Sequence, residues 1–183
     1  MAIIRSIQGG SIAQAVGLQV GDQVLSINGY PLTDLLVYRF YEADAKLTLL
    51  ATKATGEELV IDIEKKLGHT LGMEFDGELF DGIRHCQNHC QFCFVDQMPP
   101  NMRSTLYVKD DDYRLSFLYG NYITLTNLSD ADWESIRAMN LSPLYISVHA
   151  TCSQVRKELM VNPRADSILT QLQRLADWGI DFH

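Results

Sequence analysis

The chain has 183 residues, which accommodates one domain or two small ones. Its 15 basic and 23 acidic residues leave a net charge of −8, which argues against electrostatic capture of nucleic acid or an anionic membrane by the chain as a whole. No window approaches the roughly 18 apolar residues of a membrane span. The opening MAIIRSIQGG has only a short apolar run before two glycines, unlike a signal peptide. A cytoplasmic protein is expected.

The character of the sequence changes near residue 79, which sets expected domains at 1–79 and 80–183. In the first, Ala2–Ile7 reads as a strand and Ser11 as the N-cap of a short helix that Gly17-Leu18 ends. Gly21-Asp22 turns the chain into a strand at Gln23–Ile27, and Asn28-Gly29 turns it again. Leu35, Leu36, Val37, Phe40 and Tyr41 suit a half-buried helix over Thr33–Tyr41. Leu47–Thr52 and Glu58–Lys65 predict a hairpin around Thr55-Gly56-Glu57.

This order, with the run G-L-x-x-G-D-x-V-L-x-I-N-G from Gly17 to Gly29, resembles a bacterial PDZ domain over about residues 1–76. PDZ domains add an extended peptide to a sheet edge and hold its terminal carboxylate in a loop of backbone N–H groups. In circularly permuted bacterial versions that loop lies near the C-terminal end of the domain. The resemblance therefore puts peptide binding at Leu71, Gly72, Met73, Glu74 and Phe75, with a peptide or protein partner. Glu74 departs from the pattern, because an acidic side chain beside such a loop repels a peptide C-terminus. A docking module without a free ligand is the other reading.

In the second domain, Asp81–His85 is a short candidate strand and Pro99-Pro100 breaks any helix after the cysteines. A helix is expected within Asp111–Tyr119 and a strand at Tyr122–Leu125. Ser129-Asp130-Ala131-Asp132 looks like a capping box opening a helix to about Met139. Leu144–His149 is a second strand, Ala165–Trp178 a helix stopped by Gly179, and Ile180–His183 the start of another strand. Strands alternating with helices predict a parallel sheet, so the expected fold class is α/β overall behind a small β-rich α+β head. Lys109-Asp110-Asp111-Asp112 reads as a solvated face, Cys152 as a buried inert thiol, and Trp133 and Trp178 as packing residues.

The chemistry lies in GIRHCQNHCQFCFVDQ, residues 82–97, where Cys86, Cys90 and Cys93 have the spacing C-x3-C-x2-C. So close a set does not staple a fold, and a metal or cluster in a reducing compartment fits better. Three soft thiolates suit zinc or an iron–sulfur cluster. A structural zinc wants a fourth protein ligand. His85 and His89 are the nearest candidates, each awkwardly adjacent to a cysteine. A [4Fe–4S] cluster held by three cysteines leaves one iron open.

The C-x3-C-x2-C motif, with the aromatic Phe92 before the third cysteine, resembles the radical S-adenosylmethionine (SAM) superfamily. The resemblance implies a [4Fe–4S] cluster on Cys86, Cys90 and Cys93 whose open iron binds SAM. It implies reductive cleavage of SAM to a 5′-deoxyadenosyl radical, an electron donor such as ferredoxin or flavodoxin, and a partial TIM-type (βα)6 barrel with the site at the strand C-termini. Phe92 resembles the residue whose backbone lies near the adenine. Thr124, Thr126 and Asn127 stand where the superfamily carries a Gly-Gly-Glu motif meeting the SAM amino group, and that motif is absent here. Ser147, His149 and Arg156 resemble the S-x-H-A…R pattern of some radical-SAM methylating enzymes, where they meet the ribose and carboxylate of SAM.

A PDZ-like head followed by GIRHCQNHCQFCFVDQMP resembles a bacterial family that combines a PDZ domain, a radical-SAM domain and a further C-terminal domain of unknown function. That resemblance implies that the barrel continues beyond His183, so that this chain alone is expected to self-associate through open sheet edges or to be inactive in SAM cleavage. Two readings compete with the enzyme: a peptide-binding scaffold whose cluster is structural or electron-transferring, and a zinc protein.

Overall fold

A computed structural model describes residues 1–183 as two compact units, Met1–Gly82 and Ile83–His183. The protein is mixed α/β with a small β-rich N-terminal unit.

In the first unit, β1 (Ala2–Ile7), β2 (Gln23–Ile27), β4 (Lys46–Thr52), β5 (Glu58–Glu64) and β6 (Met73–Phe75) form an antiparallel sheet in the order β5-β4-β2-β1-β6. A short β3 (Tyr30–Pro31) pairs with β2. Asn28 (φ 52°) and Gly29 (φ 79°) both take the left-handed region, the turn geometry that matches the twist of a two-residue hairpin between β2 and β3. Helix α1 (Ile12–Ala15) is capped by the Ser11 hydroxyl, and α2 (Leu35–Glu42) by Asp34, which accepts from the Val37 N–H at 2.9 Å. Alternate positions of the strands point inward, so Ile4, Val24, Leu49, Ile63, Met73 and Phe75 join one apolar core. The segment Leu71–Phe75, expected as a loop, is a loop only at Leu71-Gly72 and then becomes the edge strand β6.

The second unit contains α3 (Tyr113–Tyr119), β7 (Tyr122–Ile123), α4 (Asp130–Ala138), β8 (Tyr145–Ile146), α5 (Ser153–Met160) and α6 (Ile168–Asp177), with 3₁₀ turns at Ser104–Tyr107 and Pro163–Ser167. Strands β7 and β8 are parallel, Tyr122 opposite Tyr145 and Ile123 opposite Ile146. A parallel bridge from Leu144 to Phe182 continues the series on the other side of β8. The Ser129–Asp132 capping box is present in both directions, with the Ser129 N–H donating to Asp132 at 2.9 Å. Both strands are shorter than expected. Leu125 and His149 each adopt φ 61°, which ends the extended ladder and turns the chain at the strand C-termini. Asp81–His85 forms no strand, only a single bridge from His85 to Asp110. Helix α5 has no counterpart among the sequence-based expectations.

Candidate functional site

The cysteine loop lacks regular structure, yet its main chain is anchored at both ends. The Cys86 N–H donates to Lys109 O at 2.8 Å, and the His89 and Gln91 N–H groups donate to Met160 O and Leu159 O at 3.0 and 3.2 Å, on the last turn of α5. Cys86, Cys90 and Cys93 are half-buried thiols. His85 and His89, each adjacent to a cysteine in sequence, lie exposed.

Asn88, between the first two cysteines and only 1% exposed, ties this loop to the end of β7. The orientation of its amide follows from a chain of obligate roles. The Asp111 carboxylate accepts from the Thr124 N–H and hydroxyl, both at 2.6 Å. The Thr124 oxygen is thereby free to accept, and the Asn88 amide nitrogen donates to it at 3.0 Å and to Cys86 Sγ at 3.2 Å. The Asn88 oxygen then accepts from Thr126 Oγ1 at 3.1 Å and Asn162 Nδ2 at 2.6 Å. Burial pushes the Asp111 carboxyl up, against the two Thr124 hydrogen bonds. Asp111 and Asp112 are 1% and 0% exposed, which corrects the expectation of a solvated face. The reason is tertiary: Asp111 serves β7, while Asp112 caps α3 and binds the Arg114 guanidinium at 2.7 and 2.9 Å.

The remaining candidates fall into two groups. Phe92 and His149 come together, their ring centroids 5.0 Å apart. Asn127 donates to Asp111 O at 3.0 Å, but its buried Oδ1 has no hydrogen-bond partner. Ser147 and Arg156 meet through the main chain. Fully buried Arg156 donates to the carbonyls of Thr124, Ser147, Val148 and Ala165 at 2.8–3.2 Å. Thr124, Thr126 and Arg156 thus brace the strand ends, whereas Phe92 and His149 pair with each other and Asn127 Oδ1 is left without a partner. Cys152, expected to be buried, is exposed at the start of α5, where nothing packs over an N-cap position. Asn88, Lys109 and Asn162 were not among the sequence candidates. The position of Asn88 inside the cysteine spacing was the one signal that pointed to it.

No three His, Cys, Asp or Glu side chains are gathered around a single-ion position. A [4Fe–4S] cluster sets its ligand sulfurs wider apart than one ion does, because irons and sulfides stand between them. The donors present, three half-buried thiols, are of the soft kind such a group takes. Burial, and then the charges of Cys86 and Cys93, push the Cys90 thiol up, and a metal or cluster would hold such thiols in their charged form. Burial pulls the Lys109 pKa down, but its 2.7 Å bond to Asp96 and the charges of Cys93 and Cys86 outweigh this and hold it up. The Asn88 N–H on Cys86 Sγ is the kind of contact that tunes cluster sulfurs. The orphaned Asn127 oxygen is an acceptor of the kind an ammonium group satisfies.

In the first unit a groove of about 880 Å³ runs between β6 and α2, lined among others by Ser6, Gln8, Tyr38, Arg39, Glu42 and Met73. Leu71, Met73 and Phe75 turn their side chains into the core, and Glu74 stays on the surface. Ser6 and then Arg5 hold the Glu74 carboxyl below its ordinary value, Ser6 by a 2.7 Å hydrogen bond. Gly72 adopts φ +78°, and a Cβ there would stand 2.4 Å from the Ser11 Cβ. Gly72→Ala is therefore expected to destabilise the protein by about 1–3 kcal/mol through strain and clash together, read as a lower denaturant midpoint with an unchanged slope. A midpoint equal to the parent's would show that the loop relaxes freely.

No helix is long and apolar enough to cross a membrane. No curated protein matches the chain. Residues 3–51 match the family model of a PDZ domain, and residues 65–183, the greater part of the chain, match that of a radical SAM-like domain. The segment that carries the three cysteines and the braced strand ends belongs to a recognised family: this chain is a member of the radical SAM-like family with an N-terminal PDZ domain.

Proposed function

We propose that the protein is a radical-SAM enzyme, with a PDZ-like domain at 1–79 and a radical-SAM domain over 80–183. The observation that carries this is the hydrogen-bonded brace of Asn88, which links the Cys86 thiol to the C-terminal end of β7. A site at the strand ends is what a barrel enzyme uses, and the three parallel strand segments are read as the opening strands of a partial (βα)6 barrel.

Cys86, Cys90 and Cys93 hold a [4Fe–4S] cluster in this reading. When bound, that cluster supplies the electron that splits SAM into methionine and a 5′-deoxyadenosyl radical, which acts on a substrate yet to be identified. An external carrier such as ferredoxin or flavodoxin delivers the electron. Asn127 Oδ1, which lacks a partner, would accept from the SAM ammonium in place of the absent Gly-Gly-Glu motif. Phe92, Ser147 and His149 would flank the adenosine, with the Phe92–His149 ring pair offering it an aromatic surface. Thr124, Thr126 and Arg156 stand one layer behind and fix the strand ends. Free thiols suit a reducing cytoplasm. The groove beside β6 is read as the peptide-binding surface of the first unit, with Leu71–Phe75 along it.

The test is anaerobic reconstitution with iron and sulfide, followed by electron paramagnetic resonance of the dithionite-reduced protein with and without SAM. A [4Fe–4S]⁺ signal that changes on adding SAM is the expected result. A cluster whose signal ignores SAM turns the reading toward a scaffold with a structural or electron-transfer cluster. A colourless zinc-loaded protein overturns both.

A further inference from the structure

The groove of the first unit carries a negative charge where a peptide terminus would be held. Pairing along β6 alternates. Gly72 O accepts from Gln8 N–H at 2.8 Å and Asp76 N–H donates to Ile3 O at 3.0 Å, so the main-chain groups of these residues face β1. The groups of Met73 and Phe75 consequently face away from β1, and β6 ends the sheet. That edge is open to an added strand beside α2.

The N–H at the head of this edge is different. Leu71 N–H donates to Glu42 Oε1 at 2.6 Å, and the Tyr38 hydroxyl donates to the same oxygen at 2.6 Å. Glu42 lies at the end of α2 and is 9% exposed. Burial, and then the Glu42 carboxylate, push the Tyr38 phenol up, so Tyr38 remains a donor at any ordinary pH. The loop amide therefore already holds an anion that belongs to the chain itself. A second carboxylate brought to the same place would face Glu42 at short range, where like charges repel. A main-chain amide from the middle of a polypeptide brings no charge and meets no such penalty.

We infer that the groove takes an internal, extended segment of a partner polypeptide, added as a strand to β6, and that Glu42 is the residue that excludes chain termini. This rests on the reading of the groove as a peptide site.

The experiment selects binders to the full chain from two displayed random-peptide libraries, one with free C-termini and one with the random segment flanked on both sides. Selected peptides are then measured by fluorescence anisotropy as free acids, as C-terminal amides and with C-terminal extensions. The expected result is that the flanked library yields binders whose acid and amide forms agree within about threefold. Glu42→Gln keeps an acceptor for Leu71 and Tyr38 while removing the charge, and is expected to improve acid-form binding by about tenfold. The comparison in the parent protein stands alone should the variant not fold. An acid form that binds the parent about tenfold tighter than its amide overturns the inference while leaving the groove a peptide site. No binder from either library overturns the peptide-site reading and this inference with it, and leaves the iron–sulfur test untouched.

Discussion

Replacement of any one of Cys86, Cys90 or Cys93 by Ala is expected to abolish the reconstituted iron–sulfur signal and bring bound iron down to background. The loss should be near complete if, as proposed, each thiolate holds a different iron of the cluster. His85 and His89 are exposed, the first bridged to Asp110 and the second bound through its N–H to Met160 O, so neither is expected to fill the vacated corner. Cys152→Ser is the matched control. That thiol is exposed at the start of α5, outside the cysteine loop, and its replacement should leave iron content unchanged. Iron and sulfide analysis after desalting reads both results. Full iron retention in Cys90→Ala would refute the assignment of the three cysteines as ligands.

Arg156→Met is expected to unfold the second unit far more readily, at a cost of about 3–5 kcal/mol. Methionine keeps much of the buried stem but cannot donate. The carbonyls of Thr124, Ser147 and Ala165 would lose the Arg156 donor, while Val148 O would keep the Ala150 N–H at 2.7 Å. Each unsatisfied buried acceptor costs about 1–3 kcal/mol, and relaxation and water entry keep the total below the sum. Arg156→Lys, with one ammonium in place of the planar fork, should retain about half of the stability. Denaturant unfolding of the metal-free protein checks both. A variant as stable as the parent that loses only SAM affinity would instead place Arg156 on the cofactor. The distinction matters because β7 and β8 have just two paired residues each, so their ladder alone is too short to hold the strand ends.

The parts legible in the sequence were those whose causes are local. Ala2–Ile7 and Gln23–Ile27 appear as strands with the bounds their alternation and turn residues predict. Asn28-Gly29 forms its turn because both residues tolerate positive φ. The Ser129–Asp132 cap forms within four residues. The cysteine spacing is local too, and it led to the family now shown for residues 65–183.

What eluded the sequence depends on partners far along the chain. The aspartates after Lys109 looked solvated, yet Asp111 is buried because Thr124 waits at the end of β7 and Asp112 because Arg84 and Arg114 face it. Edge strand β6 has just three residues and is a strand only because β1 pairs with it. Leu125 leaves the extended region, although its residue type disfavours positive φ. Glu42 gave no sign of meeting the Leu71 amide, 29 residues away.

The sequence by itself determined the short-range elements, the two-part organisation and the identity of the three thiols. These follow from periodicity, caps, turns and ligand spacing, all set within a few residues. Only the tertiary structure decided which polar groups are buried, how Asn88 is oriented toward Cys86, and which charge stands at the head of the groove. Those outcomes require every buried donor and acceptor to find a partner, a condition imposed on the folded protein as a whole.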